Sequence, residues 1–156
     1  MKHVCGDILS PNLNEDQPVL IFNPVSTAGV MDSWLGKQIK KELPAVHNYY
    51  EVKCMLIDAG CGSLGDTQTT CILADKGYLF VNGFVFDASN GGVMSETALH
   101  DALTDIRIFF RNYTVRIPYM WGDEATSEQE WKKAVTAIVN ELVNNGIATE
   151  IWHKEE

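Results

Sequence analysis

The stretch that decides the fold covers residues 19–31 and reads Val19-Leu20-Ile21-Phe22-Asn23-Pro24-Val25-Ser26-Thr27-Ala28-Gly29-Val30-Met31. Its first four residues form a short apolar run that is typical of a buried strand, and Asn23-Pro24 is expected to end that strand. A helix is predicted to begin near Ser33 and to run to Pro44, where proline makes continuation unfavourable. The stretch therefore predicts a strand, a loop and a helix in immediate succession.

The same succession recurs near the C-terminus. Tyr113 to Ile117 forms a second apolar run, which Pro118 ends. Ser127-x-x-Glu130 is a capping box, which predicts the start of a helix, and Asn145-Gly146 is expected to stop it. Apolar residues recur at helical spacing behind the box: Trp131, Ala134, Val135, Ile138 and Leu142. A last short strand is predicted from about Ala148 to Trp152.

The middle of the chain adds a hairpin and a further helix. The runs Cys71–Ala74 and Tyr78–Val81 flank Asp75-Lys76-Gly77, a tight-turn signal that predicts an antiparallel pair. Helical spacing of apolar residues predicts an amphipathic helix over about Ser95 to Phe110. Strands that alternate with helices, plus one hairpin, predict a three-layer α/β/α fold with a mixed central sheet. The length of 156 residues and the lack of repeats favour a single domain over residues 1–156.

Composition limits the function classes. A formal net charge of −9 disfavours sequence-blind binding to nucleic acid but leaves a small anionic ligand open, because backbone N–H groups can hold phosphate. The four cysteines lack the spacing of zinc or redox motifs and are expected to be free, buried thiols. The N-terminus lacks the apolar segment of a signal peptide, and no apolar run approaches the ~18 residues of a membrane helix, which favours a cytoplasmic location without a membrane partner. No metal or cofactor is expected, because four histidines are scattered and suit surface or capping roles: His3, His47, His100 and His153.

Two loops are candidates for a binding site, because ligands of open α/β sheets bind beyond the carboxyl ends of the strands. Asn23–Met31 offers hydroxyls, an amide and a glycine just before a helix N-terminus, where an anion can be received. A capped turn without a ligand has the same local features. Tyr119–Glu124 places large side chains and a glycine beside two carboxylates. An exposed acidic loop covered by an aromatic lid would have the same sequence features.

The joint order of short motifs resembles the macro domain family. The motifs that carry this resemblance are Gly6-Asp7-Ile8, Asn23–Met31 followed by Lys40-Lys41-Glu42-Leu43-Pro44, Gly65-Asp66-Thr67-Gln68-Thr69-Thr70, and Ile117-Pro118 with Gly122 and Trp131. The likeness is to the branch that contains ADP-ribose-1''-phosphate phosphatases and hydrolases that remove ADP-ribose from glutamate or DNA bases. Small members of this kind also occur in phages, which would place the protein in the host cytoplasm.

The resemblance implies a set of ligand contacts. Asp7 and Ile8 would meet the adenine, and Trp152 would stack on it, although Trp152 could equally half-cover the sheet edge. The distal ribose would be approached by Asn23, Ser26, Gly29, Val30 and Met31. The pyrophosphate would be wrapped by Tyr119, Met120, Trp121 and Gly122.

The resemblance also has departures, which keep two functions open. Bulky residues from Met31 to Trp34 replace the usual glycines, Asn23 replaces a histidine that is catalytic in some phosphatases, and the second loop lacks a G-C-G run. If the chain is a hydrolase acting at the distal ribose, as a phosphatase or an ADP-ribosyl hydrolase, the carboxylate candidates are Asp123 first, then Glu124, then Asp32 from the opposing loop. Each of these also suits a solvated surface. The alternative is a non-catalytic reader or sponge of ADP-ribose, of ADP-ribosylated macromolecules or of a related signalling nucleotide; a scaffold without any ligand is a third possibility.

Overall fold

The computed structural model describes residues 1–155 and is built around one seven-stranded sheet. The strands are β1 Lys2–Cys5, β2 Val19–Ser26, β3 Thr67–Cys71, β4 Tyr78–Asp87, β5 Val93–Met94, β6 Thr114–Pro118 and β7 Thr149–His153. Their order is β1-β7-β6-β2-β4-β3, and β5 pairs with β4 outside this path. Pairing is parallel except that β3 and β5 run antiparallel to β4. The predicted mixed sheet is confirmed.

Four helices cover the two faces of this sheet. They are α1 Trp34–Glu42, α2 Pro44–Asp58, α3 Glu96–Phe109 and α4 Glu128–Glu141. Successive residues of β2 point to opposite faces, so that Ile21 packs in the core with α1 and α2, whereas Leu20 and Phe22 pack in the core with α3 and α4. Two apolar cores on either side of one sheet confirm the predicted three-layer α/β/α architecture.

Serine caps fix three of the helix starts. The side-chain hydroxyls of Ser33, Ser95 and Ser127 accept hydrogen bonds from backbone N–H groups three residues later, at 2.9–3.1 Å. These caps satisfy N–H groups that have no partner within the helix. The predicted helices that became α1, α3 and α4 are thereby confirmed, although α4 ends at Glu141 and a short 3-10 turn, Val143–Asn145, precedes Gly146.

Three strands have boundaries that differ from the predicted ones, and the simplest case is β4, which continues from Tyr78 past the predicted Val81 to Asp87. Strand β2 does not end at Asn23-Pro24 but continues to Ser26. Proline is tolerated there because β2 pairs with β6 only over residues 19–21, so that near Pro24 its ladder continues with β4 alone. The first hairpin strand is Thr67–Cys71 rather than Cys71–Ala74. The sequence did not predict it because its largely polar residues give no apolar run.

Helix α2 and the cysteines also differ from expectation. Pro44 ends α1, as predicted, but it is also the first residue of α2, where its missing N–H costs nothing. Of the four cysteines, which form no disulfide within residues 1–155, only Cys54 is buried, so the expectation of buried thiols is wrong for the other three. No helix within residues 1–155 is long and apolar enough to cross a membrane.

Candidate functional site

Three adjoining cavities lie along the loops at the carboxyl ends of the parallel strands. The inner cavity, of about 300 Å³, lies between the loop after β2 and the segment after β6. The middle cavity is larger, about 1020 Å³, and shares Asp123 with the inner one. The outer cavity, about 230 Å³, shares Trp34, Lys154 and Glu155 with the middle one. Together they form a groove with two differently built ends.

Most of the residues singled out from the sequence line this groove. Those in the inner cavity are Asn23, Ser26, Val30, Met31, Asp32, Trp121 and Asp123. Those in the middle cavity are Tyr119, Met120, Asp123 and Glu124, and those in the outer cavity are Asp7, Ile8 and Trp152. Gly29 and Gly122 are not among the residues lining the three cavities. The sequence candidates therefore come together in space from four separate segments.

Asn23, which lines the inner cavity, is held by a row of amide side chains within the sheet. Asn23 is buried, and its Nδ2 donates a hydrogen bond to Asn82 Oδ1 at 3.1 Å. The Nδ2 of Asn82, which is fully buried, donates in turn to Gln68 Oε1 at 3.3 Å. The three residues stand opposite one another on β2, β4 and β3, so the sheet register itself holds the Asn23 amide in place. Asn82 was not predicted as a site residue, because its neighbours in the sequence indicate only that it lies within a strand.

Tyr50 of α2 ties together the loop that follows β2. Its buried hydroxyl donates to the carbonyl oxygens of Ser26 at 2.6 Å and Val30 at 3.1 Å. Burial raises the pKa of Tyr50 well above its ordinary value, so the phenol stays protonated and remains a donor. The loop thus has a fixed path although it lies outside regular structure.

The close approach of each loop to α1 depends on a glycine. A Cβ at Gly36, on α1, would lie 2.8 Å from the Cβ of Met31. A Cβ at Gly122 would lie 2.6 Å from the Cβ of Leu35, also on α1. The usual glycines are missing from the first loop, but a helix glycine allows that loop to pack closely.

The segment after β6 has a strained backbone. Met120, Trp121 and Gly122 have φ values of 53°, 61° and 68°, so three consecutive residues adopt the left-handed conformation. Such conformations are unfavourable for residues with a Cβ and cluster at functional sites. The turn buries Trp121 against Trp131 and leaves Tyr119 half-exposed at the middle cavity.

Three carboxylates face the inner cavity, and no basic side chain is among its lining residues. Asp123 Oδ1 accepts a hydrogen bond from Ala125 N at 3.0 Å, and Asp32 lies on the opposing loop. The third carboxylate belongs to Glu130, which the sequence identified only as a capping residue. Burial, and then the negative charge of Asp123, raise the pKa of Glu130. A carboxyl group whose pKa is raised and which lies beside a second carboxylate in a cavity is a candidate proton donor.

His153, which lines the middle cavity, lies against His3, although the histidines were predicted to be scattered. His3 Nδ1 and His153 Nε2 lie 2.8 Å apart, and the ring of His153 stacks on Tyr119 with centroids 4.2 Å apart. Strands β1 and β7 are neighbours, which places these residues side by side although they stand at opposite ends of the sequence. Burial, and then His3, lower the pKa of His153, so it is neutral near pH 7.

The outer cavity is held by a buried arginine. Arg116 Nη1 donates to the carbonyl oxygens of Ile8 at 3.0 Å and Ser10 at 2.7 Å. Its guanidinium also lies 4.6 Å from the ring centroid of Trp152, which fixes that indole at the cavity. Asp7 Oδ1 accepts hydrogen bonds from Leu9 N and from Gln38 Nε2 at 3.0 and 2.9 Å. A carboxylate and an indole are therefore presented together at this end.

Comparison with known proteins defines the class of fold. No protein-family model and no curated protein matches the sequence. Solved structures do match: a macrodomain protein from Streptomyces coelicolor has a TM-score of 0.77 at 15% identity and covers 97% of each chain. The macrodomain of Thermus aquaticus DarG has a TM-score of 0.68 at 19% identity and covers 99% of this chain and 97% of its own.

A third similar structure contains a ligand. Thermosipho africanus DarTG, solved in complex with ADP-ribose, has a TM-score of 0.66 at 14% identity and covers 86% of this chain and 37% of its own. The chain described here therefore has the macrodomain fold, as its motif order predicted.

Proposed function

We propose that this protein binds ADP-ribose or a close derivative along the groove, with adenine in the outer cavity and the distal ribose in the inner cavity. The observation that carries the proposal is the asymmetry of the groove. One end offers Asp7, the Ile8 backbone and the Trp152 indole, which suit a purine, and the other offers carboxylates and the Asn23 amide, which suit ribose hydroxyls. The likeness to a protein solved with ADP-ribose supports it. The binding unit is proposed to be the whole stretch 1–156 as one domain.

We further infer that the protein hydrolyses the bond between the distal ribose and its substituent. Asp123 would accept a proton from water as the water oxygen bonds to the anomeric carbon, and Glu130, whose pKa is raised, would donate a proton to the departing group. Asp32, on the opposing loop, would orient the ribose or the water. Glu124 lines the middle cavity instead, which makes it a poorer candidate for this step.

The charge of the inner cavity favours one kind of substituent. Asp32, Asp123 and Glu130 line it without a basic side chain, and a phosphate on the distal ribose would meet like charges there. A de-ADP-ribosylating hydrolase therefore fits better than an ADP-ribose-1''-phosphate phosphatase. Both reactions use the same groove.

A non-catalytic reader or sponge is the second candidate. Asn23 is held by Asn82 and is not a general base, and Asp123 Oδ1 serves a local turn by accepting from Ala125 N. Both features are compatible with binding alone. A cytoplasmic location for either function remains a prediction from the sequence.

Product release from defined substrates tests the catalytic proposal. The purified protein is incubated with a glutamate-linked ADP-ribosyl peptide and, separately, with ADP-ribose-1''-phosphate, and free ADP-ribose and phosphate are measured. Asp123→Asn is expected to slow release by a factor of about 10²–10⁴ while leaving ADP-ribose affinity nearly unchanged. Glu124→Gln is the matched control and should retain most activity. Binding by the wild type without release from any substrate would support the reader instead.

A further inference from the structure

A lysine and a tryptophan meet where the middle and outer cavities join. Lys154, directly after β7, places its Nζ 4.7 Å from the ring centroid of Trp34, the first residue of α1. Both residues line both cavities. The contact therefore lies where the two cavities join, between the purine-suited end of the groove and its carboxylate-lined end.

Lys154 is an unusual charge for this groove. The carboxylates that line the three cavities belong to Asp7, Asp32, Asp123, Glu124, Glu130 and Glu155. The basic side chains that line them are His153, which is neutral near pH 7, and Lys154. Among residues 1–155, no carboxylate lies within ion-pair distance of Lys154. Its ammonium thus has an aromatic partner and no counterion in the described chain.

The contact with Trp34 is the kind that an anion can displace. An exposed ammonium on an indole face is held weakly, whereas an ammonium that donates to phosphate oxygens forms a charge-assisted hydrogen bond. The long lysine side chain can rotate at little cost because Lys154 is exposed. Apart from Lys154, the charged side chains that a diphosphate would meet in the middle cavity are the carboxylates of Asp123, Glu124 and Glu155.

We propose that Lys154 pairs with the diphosphate of the bound ligand, and that it leaves the indole of Trp34 when it does so. This inference rests on the proposed ADP-ribose binding. Lys154 is then a specificity residue for nucleotides with a diphosphate, and Trp34 presents its vacated face to the ligand. No sequence motif marks the pair, since Trp34 and Lys154 lie far apart in the chain and meet only where β7 ends beside the start of α1.

Affinity measurements on matched variants test the pairing. Lys154→Met and Lys154→Arg are titrated with ADP-ribose and with adenosine, which lacks the phosphates. Lys41→Met, on the exposed side of α1, is the control for the loss of one positive charge. Lys154→Met is expected to weaken ADP-ribose binding about tenfold, with adenosine unaffected and with Lys154→Arg close to the wild type. Lys41→Met is expected to bind as the wild type does.

The indole N–H resonance of Trp34, assigned with Trp34→Phe, gives a second readout. It is expected to shift when Lys154→Met is introduced without ligand, and again when ADP-ribose is added to the wild type. Wild-type ADP-ribose affinity in Lys154→Met, or an equal loss for adenosine, would overturn the pairing while leaving ADP-ribose binding intact. A wild type that does not bind ADP-ribose would overturn the proposed function and this inference together.

Discussion

Glu130 lines the same cavity as Asp123, and the negative charge of Asp123 adds to burial in raising the pKa of the Glu130 carboxyl. Glu130 reaches this position from the first turn of α4, whose start Ser127 fixes by accepting a hydrogen bond from the Glu130 N–H. A capping motif thus places a carboxyl group with a raised pKa beside a second carboxylate. The relationship links local helix chemistry to the proposed reaction.

The raised pKa of Glu130 predicts a pH-dependent cost to stability. A carboxyl whose pKa is higher in the folded than in the unfolded protein binds more protons when folded, so its contribution to stability falls as pH rises from its ordinary value of 4.5 through the folded pKa. Glu130→Gln removes that dependence. In thermal melts from pH 4 to pH 8, the melting temperature of Glu130→Gln is expected to rise relative to that of the wild type as pH increases. A constant difference across this range would contradict the assignment.

Gly122 predicts a steric requirement at the meeting of the second loop and α1. Gly122→Ala brings a Cβ to 2.6 Å from the Cβ of Leu35, in addition to the cost of a positive φ. Gly91 is a matched control, because its φ of 69° equals that of Gly122 within one degree and a Cβ there meets nothing within 4 Å. Urea denaturation should show that Gly122→Ala destabilises by about 1–3 kcal/mol more than Gly91→Ala. Equal losses would mean that backbone conformation alone is responsible.

Two buried tyrosines predict separate effects at the two ends of the groove. Tyr50→Phe removes the donor to Ser26 and Val30, whereas Tyr78→Phe removes the donor to the Leu9 carbonyl oxygen at 3.0 Å. Each loss should cost about 1–3 kcal/mol, because buried carbonyl oxygens lose their partner. Hydrogen exchange is expected to quicken at residues 27–31 in the first variant and at residues 7–10 in the second. The same pattern in both variants would show global rather than local loosening.

Asn82, which holds the cavity-lining Asn23 amide, is predicted to contribute to both stability and binding. Asn82→Ala leaves the buried Asn23 amide without its acceptor, and a loss of about 1–3 kcal/mol is expected. Gln68→Ala is the milder control because Gln68 is only half-buried. ADP-ribose affinity should fall in Asn82→Ala and change little in Gln68→Ala. An unchanged affinity in both would remove Asn23 from the proposed ribose contacts.

The regular parts of the fold were readable from the sequence where one physical signal dominated. Buried parallel strands gave apolar runs at Val19 and Val115, apolar spacing predicted α3, and the capping box at Ser127 marked the start of α4. Helix α2 was missed because Val52, Met55 and Leu56 are exposed, which blurs the apolar spacing of its buried face.

The sequence predicted only some of the site residues, because several of them act together only after distant segments meet in the fold. Loop residues such as Asp123 can be selected from their sequence neighbours alone. The roles of Glu130, Asn82 and Lys154 depend on contacts with residues that are distant in the sequence. Sheet register joins Asn82 to Asn23, and the end of β7 carries Lys154 to the start of α1. Periodicity carries no information about such contacts, since they depend on strand order.

Calorimetric titration of the wild-type protein with ADP-ribose, with AMP and ATP as controls, tests the central proposal most directly. Saturable one-to-one binding of ADP-ribose, tighter than that of either control nucleotide, is the predicted result. Absence of ADP-ribose binding by a folded protein would contradict it.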